Sequence, residues 1–141
     1  MFKQLTVFLE NRPGRMADAT GCLAEANINL HALSIADTSD FGILRIIVSE
    51  PEKARDLLRE RGFSVRTADV IAVSIGHTPG SLHKVLKSME ALGISIEYLY
   101  AFTSLIEGYD AIVIFRLENQ DEALKKLEGS GIETLGQELL R

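Results

Sequence analysis

The chain has one cysteine, Cys22, so it cannot close an internal disulfide. A reducing compartment is permitted by this, not required. There is no basic block: 15 Lys and Arg stand against 20 Asp and Glu, for a net charge of −5. Phosphate backbones are gripped by clustered cations, so nucleic acid is not the expected partner. No apolar run approaches the roughly 20 residues of a membrane helix. The opening "MFKQLTVFLE" alternates and is charged by residue 3, unlike a secretory leader. The expectation is a soluble cytoplasmic protein. The histidines are His31, His77 and His83. His77 and His83 lie six apart across a turn, with no Cys or carboxylate at a metal-site spacing, so no metal is expected. No nucleophile–base pair, paired carboxylates or cofactor motif stands out. A catalytic role and a cofactor are therefore not expected.

What is present is an ordinary globular balance, 46% apolar and 25% charged, and a repeat. Slid on itself by 66 residues, the chain puts Asn11-Arg12-Pro13-Gly14 on His77-Thr78-Pro79-Gly80. The alternating Leu5, Val7 and Leu9 fall on Ile71, Val73 and Ile75. Met16, Ala19, Thr20, Leu23 and Ala26 fall on Leu82, Val85, Leu86, Met89 and Leu92. At the same offset Gly42 meets Gly108, and Ile46-Ile47-Val48 meets Ile112-Val113-Ile114. Three extra residues then enter the second copy, since Gly62-Phe63 meets Gly131-Ile132. Agreement in the order of the apolar positions marks an internal duplication.

Each copy changes period in the same way. Residues 3–9 alternate as a half-buried strand does. Pro13 or its neighbour starts a helix, where the missing N–H costs nothing. Asn27 ends it, as Gly93 does in the second copy. "INLHALSIAD" and "ILRIIVSE" read as strands around the turn "TSDFG". "PEKARDLLRERG" reads as a second helix and "FSVRT" as the closing strand. "DEALKKLEGSG" and the weaker "IETLGQEL" repeat these. The order β-α-β-β-α-β, twice, predicts two ferredoxin-like α+β units packed together, each a four-stranded antiparallel sheet with two helices on one face. The boundaries are 1–68 and 69–141, with only "TAD" turn-like between them. Cys22 reads as a small packing residue early in the first helix.

The repeated Pro-Gly turn has a chemistry of its own. A strand, a tight turn and a helix N-terminus leave N–H groups outward, where the dipole favours a carboxylate or phosphate. Asn11 stands in the turn and Asn29 begins the next strand. The topology is read as bringing these carboxamides near one another, an arrangement suited to a free amino acid. The plainer reading, a turn and a helix end, stands beside it.

With "[DN]-x-P-G" before the first helix and "N-[IL]" after it, the chain resembles a tandem ACT domain protein over nearly its whole length. The resemblance implies a regulatory module without a catalytic domain. It would bind a small molecule, an amino acid in the usual case, at an interface between ACT units, as a homodimer with a possible regulated protein partner. It carries the ligand role to Asn11, Arg12, Pro13, Gly14, Arg15, Met16 and Asn29. His77, Gly80 and Ser95 are their counterparts. His77 replaces Asn11 and Ser95 replaces Asn29, so the two copies are expected to differ in function. The alternatives are a small ferredoxin-like enzyme and a ligand-free interaction module. An RNA-binding sheet would need exposed aromatics on its central strands, where "ILRIIVSE" and "AIVIFRLE" are aliphatic. A copper-carrier loop would need Cys-x-x-Cys.

Overall fold

The computed structural model describes residues 1–38, 40–103 and 106–140. Ser39, in the expected "TSDFG" turn, and Arg141, at the expected end of the second domain, lie outside them. The elements run β1 (Phe2–Glu10), α1 (Arg15–Glu25), β2 (Leu30–Asp37), β3 (Phe41–Val48), α2 (Pro51–Glu60) and β4 (Ser64–Ile75). They continue with α3 (Ser81–Ala91), β5 (Ile96–Thr103), β6 (Ala111–Leu117), α4 (Gln120–Glu128) and β7 (Thr134–Leu135). The β-α-β-β-α-β order occurs twice, a ferredoxin-like α+β fold.

The chain divides into two compact units. One holds Lys3–Ala68 with Leu140, the other Asp69–Leu139 with Met1 and Phe2. β4 belongs to both: it is one strand through Thr67, Ala68 and Asp69, so the expected "TAD" turn is extended backbone. Strand order is β2-β3-β1-β4 in the first unit and β5-β6-β4-β7 in the second. The weaker last strand shrinks to two residues and is followed by a 3-10 turn, Gln137–Leu139.

In the first unit Leu5, Val7 and Leu9 of β1 and Leu44, Ile46 and Val48 of β3 form one apolar face. Ala19, Cys22 and Leu23 of α1 and Ala54 and Leu58 of α2 cover it. Cys22 packs here as a buried free thiol, late in its helix rather than early. Met16, expected on the same face, is 36% exposed. In the second unit Ile71, Val73, Val113, Phe115 and Leu117 meet Met89, Ala123 and Leu127.

The first helix of each unit is led in by a left-handed glycine, Gly14 and Gly80, each with φ 88°. A Cβ there would clash with the following carbonyl, which is why glycine recurs. The helices start one residue beyond, so Pro13 lies in the turn and not in the helix. Both helices also end alike. Asn27 (φ 58°) and Gly93 (φ 69°) turn left-handed. The Ile28 N–H donates to the Leu23 carbonyl and the Ile94 N–H to the Met89 carbonyl, both at 3.0 Å. These are Schellman closures.

The register corrects the repeat in one place. Leu5 pairs with Ile46, and its counterpart Ile71 pairs with Phe115. The first strands are thus offset by 66 and the third strands by 69. The three extra residues therefore sit in the turn before β6, not after it. Gly42 lies in β3, opposite Leu9, whereas Gly108 is a turn glycine with φ 89°. The misalignment arises because Ala111–Phe115 are all buried, so an apolar run there has no phase to read.

Candidate functional site

The site is built from the first Pro-Gly turn outward. After Glu10 the Arg12 N–H donates to the Glu10 carbonyl at 2.8 Å. Gly14 then swings the chain into α1, where the Asp18 N–H donates to the Gly14 carbonyl at 2.8 Å. Among the described residues no side chain caps this helix. Its first N–H groups have no intrahelical acceptor and stand at the positive end of the dipole. Asn11, Arg12, Pro13 and Gly14 are exposed around them. The second unit repeats the geometry: the Lys84 N–H donates to the Gly80 carbonyl at 3.0 Å, and His77, Thr78 and Pro79 are exposed. A hollow of about 370 Å³ lies there, lined by Ile75, His77, Thr78 and Leu82 among others.

Arg15 differs from its neighbours. Its side chain is 13% exposed, and the guanidinium lies 4.1 Å from the centre of the Phe63 ring. Glu10 and Asp18 approach it at 3.7 and 3.6 Å, while Arg12 holds Glu10 at 3.0 Å.

Asn11 and Asn29 are not brought together within the unit. Asn11 follows Glu10, which pairs with Phe41 at the start of β3. Asn29 makes two bonds with Ser49, just past the other end of β3: its N–H donates to Ser49 Oγ and its carbonyl accepts from the Ser49 N–H, both at 3.1 Å. Seven strand steps of about 3.3 Å separate these ends, roughly 23 Å. The reason is the crossover itself. β1 and β2 run the same way, so α1 must carry the chain back along the whole sheet. The second unit obeys the same rule. Ser95 lies in another hollow, of about 60 Å³, with Gly93, Glu118, Asn119 and Lys126.

Two features are not legible in the sequence. β2 and β5 each carry a bulge, between Leu30 and Ala32 and between Ile96 and Tyr98. His31 and Glu97 are the bulged residues. His31 is half-buried, its Nε2 is closed to solvent without a hydrogen-bond partner among the described residues, and burial lowers its pKa from the usual imidazole value. Glu97 instead faces Arg116 at 3.7 Å. A bulge of this kind has no residue signature that would reveal it. The other feature is β2 itself, an outer strand with Leu33 49% and Ile35 47% exposed.

Among the described residues no three His, Cys, Asp or Glu side chains are grouped to hold a metal ion. No helix among them is long and apolar enough to cross a membrane.

Comparison with known proteins gives a consistent picture of the fold. A family model described as "ACT domain pair" matches residues 1–133. The crystal structure of protein BT0572 from Bacteroides thetaiotaomicron is similar at TM-score 0.90 and 42% identity, covering 99% of this chain and 94% of that one. The ligand-free regulatory subunit of aspartate kinase from Thermus thermophilus is similar at TM-score 0.62 and 20% identity, covering 92% of each chain. The regulatory subunit of aspartate kinase from Thermus flavus follows at 0.59 and 17%, covering 91% of each. No curated protein matches the sequence.

Proposed function

The chain belongs to the ACT domain pair family, and on that premise we propose that it is a regulatory sensor of a free amino acid. It acts by binding, in the cytoplasm, as a homodimer that passes the signal to a protein partner. The observation that carries the reading is the first Pro-Gly turn. There the unpaired N–H groups of α1 suit a ligand carboxylate, and the exposed Asn11 carboxamide suits its ammonium.

Asn29 completes the site from a second copy of the chain. Within one unit it lies a strand length from Asn11, so only a neighbouring ACT unit can present it to the same ligand. The uncovered Leu33 and Ile35 on the outer strand favour such a neighbour. Arg12, Pro13 and Gly14 form the rest of the loop, and Met16 stands in the first turn of α1 beside it. Arg15 anchors its base on Phe63. His77 and Gly80 belong to the corresponding turn of the second unit, and Ser95, a strand length away by the same rule, reaches a site there only from a neighbouring unit. The Thermus neighbours are regulatory subunits of aspartate kinase, which agrees with a regulatory reading.

The test is a thermal-shift screen of the purified chain against the twenty amino acids. A ligand at about 100 times its Kd adds roughly 2.7 kcal/mol, which raises Tm by several degrees. One hit that disappears in Asn29→Ala is the expected result. No shift with any amino acid would remove the reading in favour of a ligand-free interaction module.

A further inference from the structure

We infer that the first unit carries a second ligand site, adjoining the Pro-Gly turn through Arg15, for a small organic molecule bearing a phosphate or carboxylate group. It is a hollow of about 340 Å³ between one flank of α1 and the chain after α2. Arg15, Asp18, Cys22 and Glu25 line one side at helical spacing; Arg61 and Phe63 line the other.

Three observations point to an anion. The first is Arg15. Its Nε is shut off from solvent and has no hydrogen-bond partner among the described residues. Its carboxylate neighbours, at 3.6 and 3.7 Å, lie beyond hydrogen-bond length. A guanidinium held against Phe63, with its Nε–H unspent and its terminal nitrogens paired only loosely with Glu10 and Asp18, is preorganised for the fork of a carboxylate or phosphate. The second is Arg61. It bonds Glu25 at 2.8 Å, but both side chains are more than half exposed, so the pair is weak and can yield to a ligand. The rim carboxylates of Asp18 and Glu25 are 62% and 67% exposed and correspondingly screened.

The third is Gly21. It stands in the middle of α1, where glycine is unfavourable relative to alanine. A Cβ there would meet none of the described residues within 4 Å, so no packing demand among them explains it. The missing side chain leaves the hollow open. The second unit makes the contrast. At the positions of Arg15, Gly21, Cys22, Arg61 and Phe63 it has Ser81, Lys87, Ser88, Ser130 and Ile132. The same fold stands without this set, so the fold does not require it.

The test is a titration of the ¹⁵N-labelled full chain with inorganic phosphate and, separately, with succinate, at ionic strength held constant with sodium chloride. The Arg15 Nε–H resonance is expected to shift and saturate in at least one arm. The arm that saturates identifies the ligand group. Arg15→Gln, and Gly21→Leu, which fills the hollow without changing its charge, should each weaken the response at least tenfold at the remaining Arg61 resonance. Glu25→Gln, which frees Arg61, should strengthen it several-fold. Linear, unsaturating shifts in both arms would overturn the proposal, as would a saturating response that survives Arg15→Gln. Because Arg15 adjoins the Pro-Gly turn, Gly21→Leu separates the two sites. It should suppress the phosphate or succinate response while leaving any amino-acid thermal shift unchanged, and a response that survives Gly21→Leu belongs to the turn and overturns the proposal.

Discussion

The two units place a glycine of φ 88° at the same point of the same turn, and then build the following helix from different residues. Their helices close through the same backbone bond, 3.0 Å in each case. Their second strands bulge at the same place. Yet one bulge carries a half-buried histidine and the other a glutamate facing arginine. Positions that serve the backbone are alike because only a few residues tolerate a left-handed φ or a buried apolar site. Positions that point to solvent carry no such demand, and there the units diverge. Asn11 and His77, and Asn29 and Ser95, are such differences, and the proposed asymmetry of binding rests on them.

That contrast can be broken first in the cores. Leu23 and Met89 occupy matching buried positions. Truncating either to alanine should cost about 2–5 kcal/mol in urea unfolding. A negligible cost in one unit would end the claim that the scaffolds are equivalent. The proposed asymmetry of binding comes next. Asn11→Ala and Asn29→Ala should each weaken amino-acid binding by about 1–3 kcal/mol in calorimetry, the loss expected when a charged ligand group is left unpaired. His77→Ala and Ser95→Ala should have less than half that effect. Equal losses in all four would make the two Pro-Gly turns functionally alike. Gly14→Ala and Gly80→Ala should each destabilise by about 1–2 kcal/mol in thermal unfolding, through the left-handed φ alone.

The smallest effect concerns His31. Burial lowers its pKa in the fold, so the unfolded chain binds its proton more readily between the folded value and about pH 6.5. Stability from this residue is full above about pH 6.5 and declines as pH falls through that window. His31→Gln should flatten the decline in urea midpoints measured from pH 8 to pH 5. An unchanged slope would place the titration elsewhere.

Much of this is legible in the residues. The alternation of Leu5, Val7 and Leu9 marks β1, and Asn27 marks the end of α1, because each reflects a local geometric demand. Local demands fail as guides where they are saturated. Ala111–Phe115 are apolar throughout, so no periodicity tells which face each residue serves, and aligning the copies by residue type puts the three-residue insertion on the wrong side of β6. "TAD" has turn-forming residues, but the backbone of β4 stays extended through them. Asn11 and Asn29 are close in sequence, and only the direction of the crossover shows them to be a strand length apart.

The sequence by itself determined the duplication, the order of elements and the two glycine-led turns, because each is written in short-range period and conformational preference. The tertiary structure alone decided which side chains meet. Phe63 came under Arg15, and Arg61 beside Glu25, through chain folded back over long stretches of sequence. Such contacts depend on register, crossover direction and packing, and no local pattern encodes them.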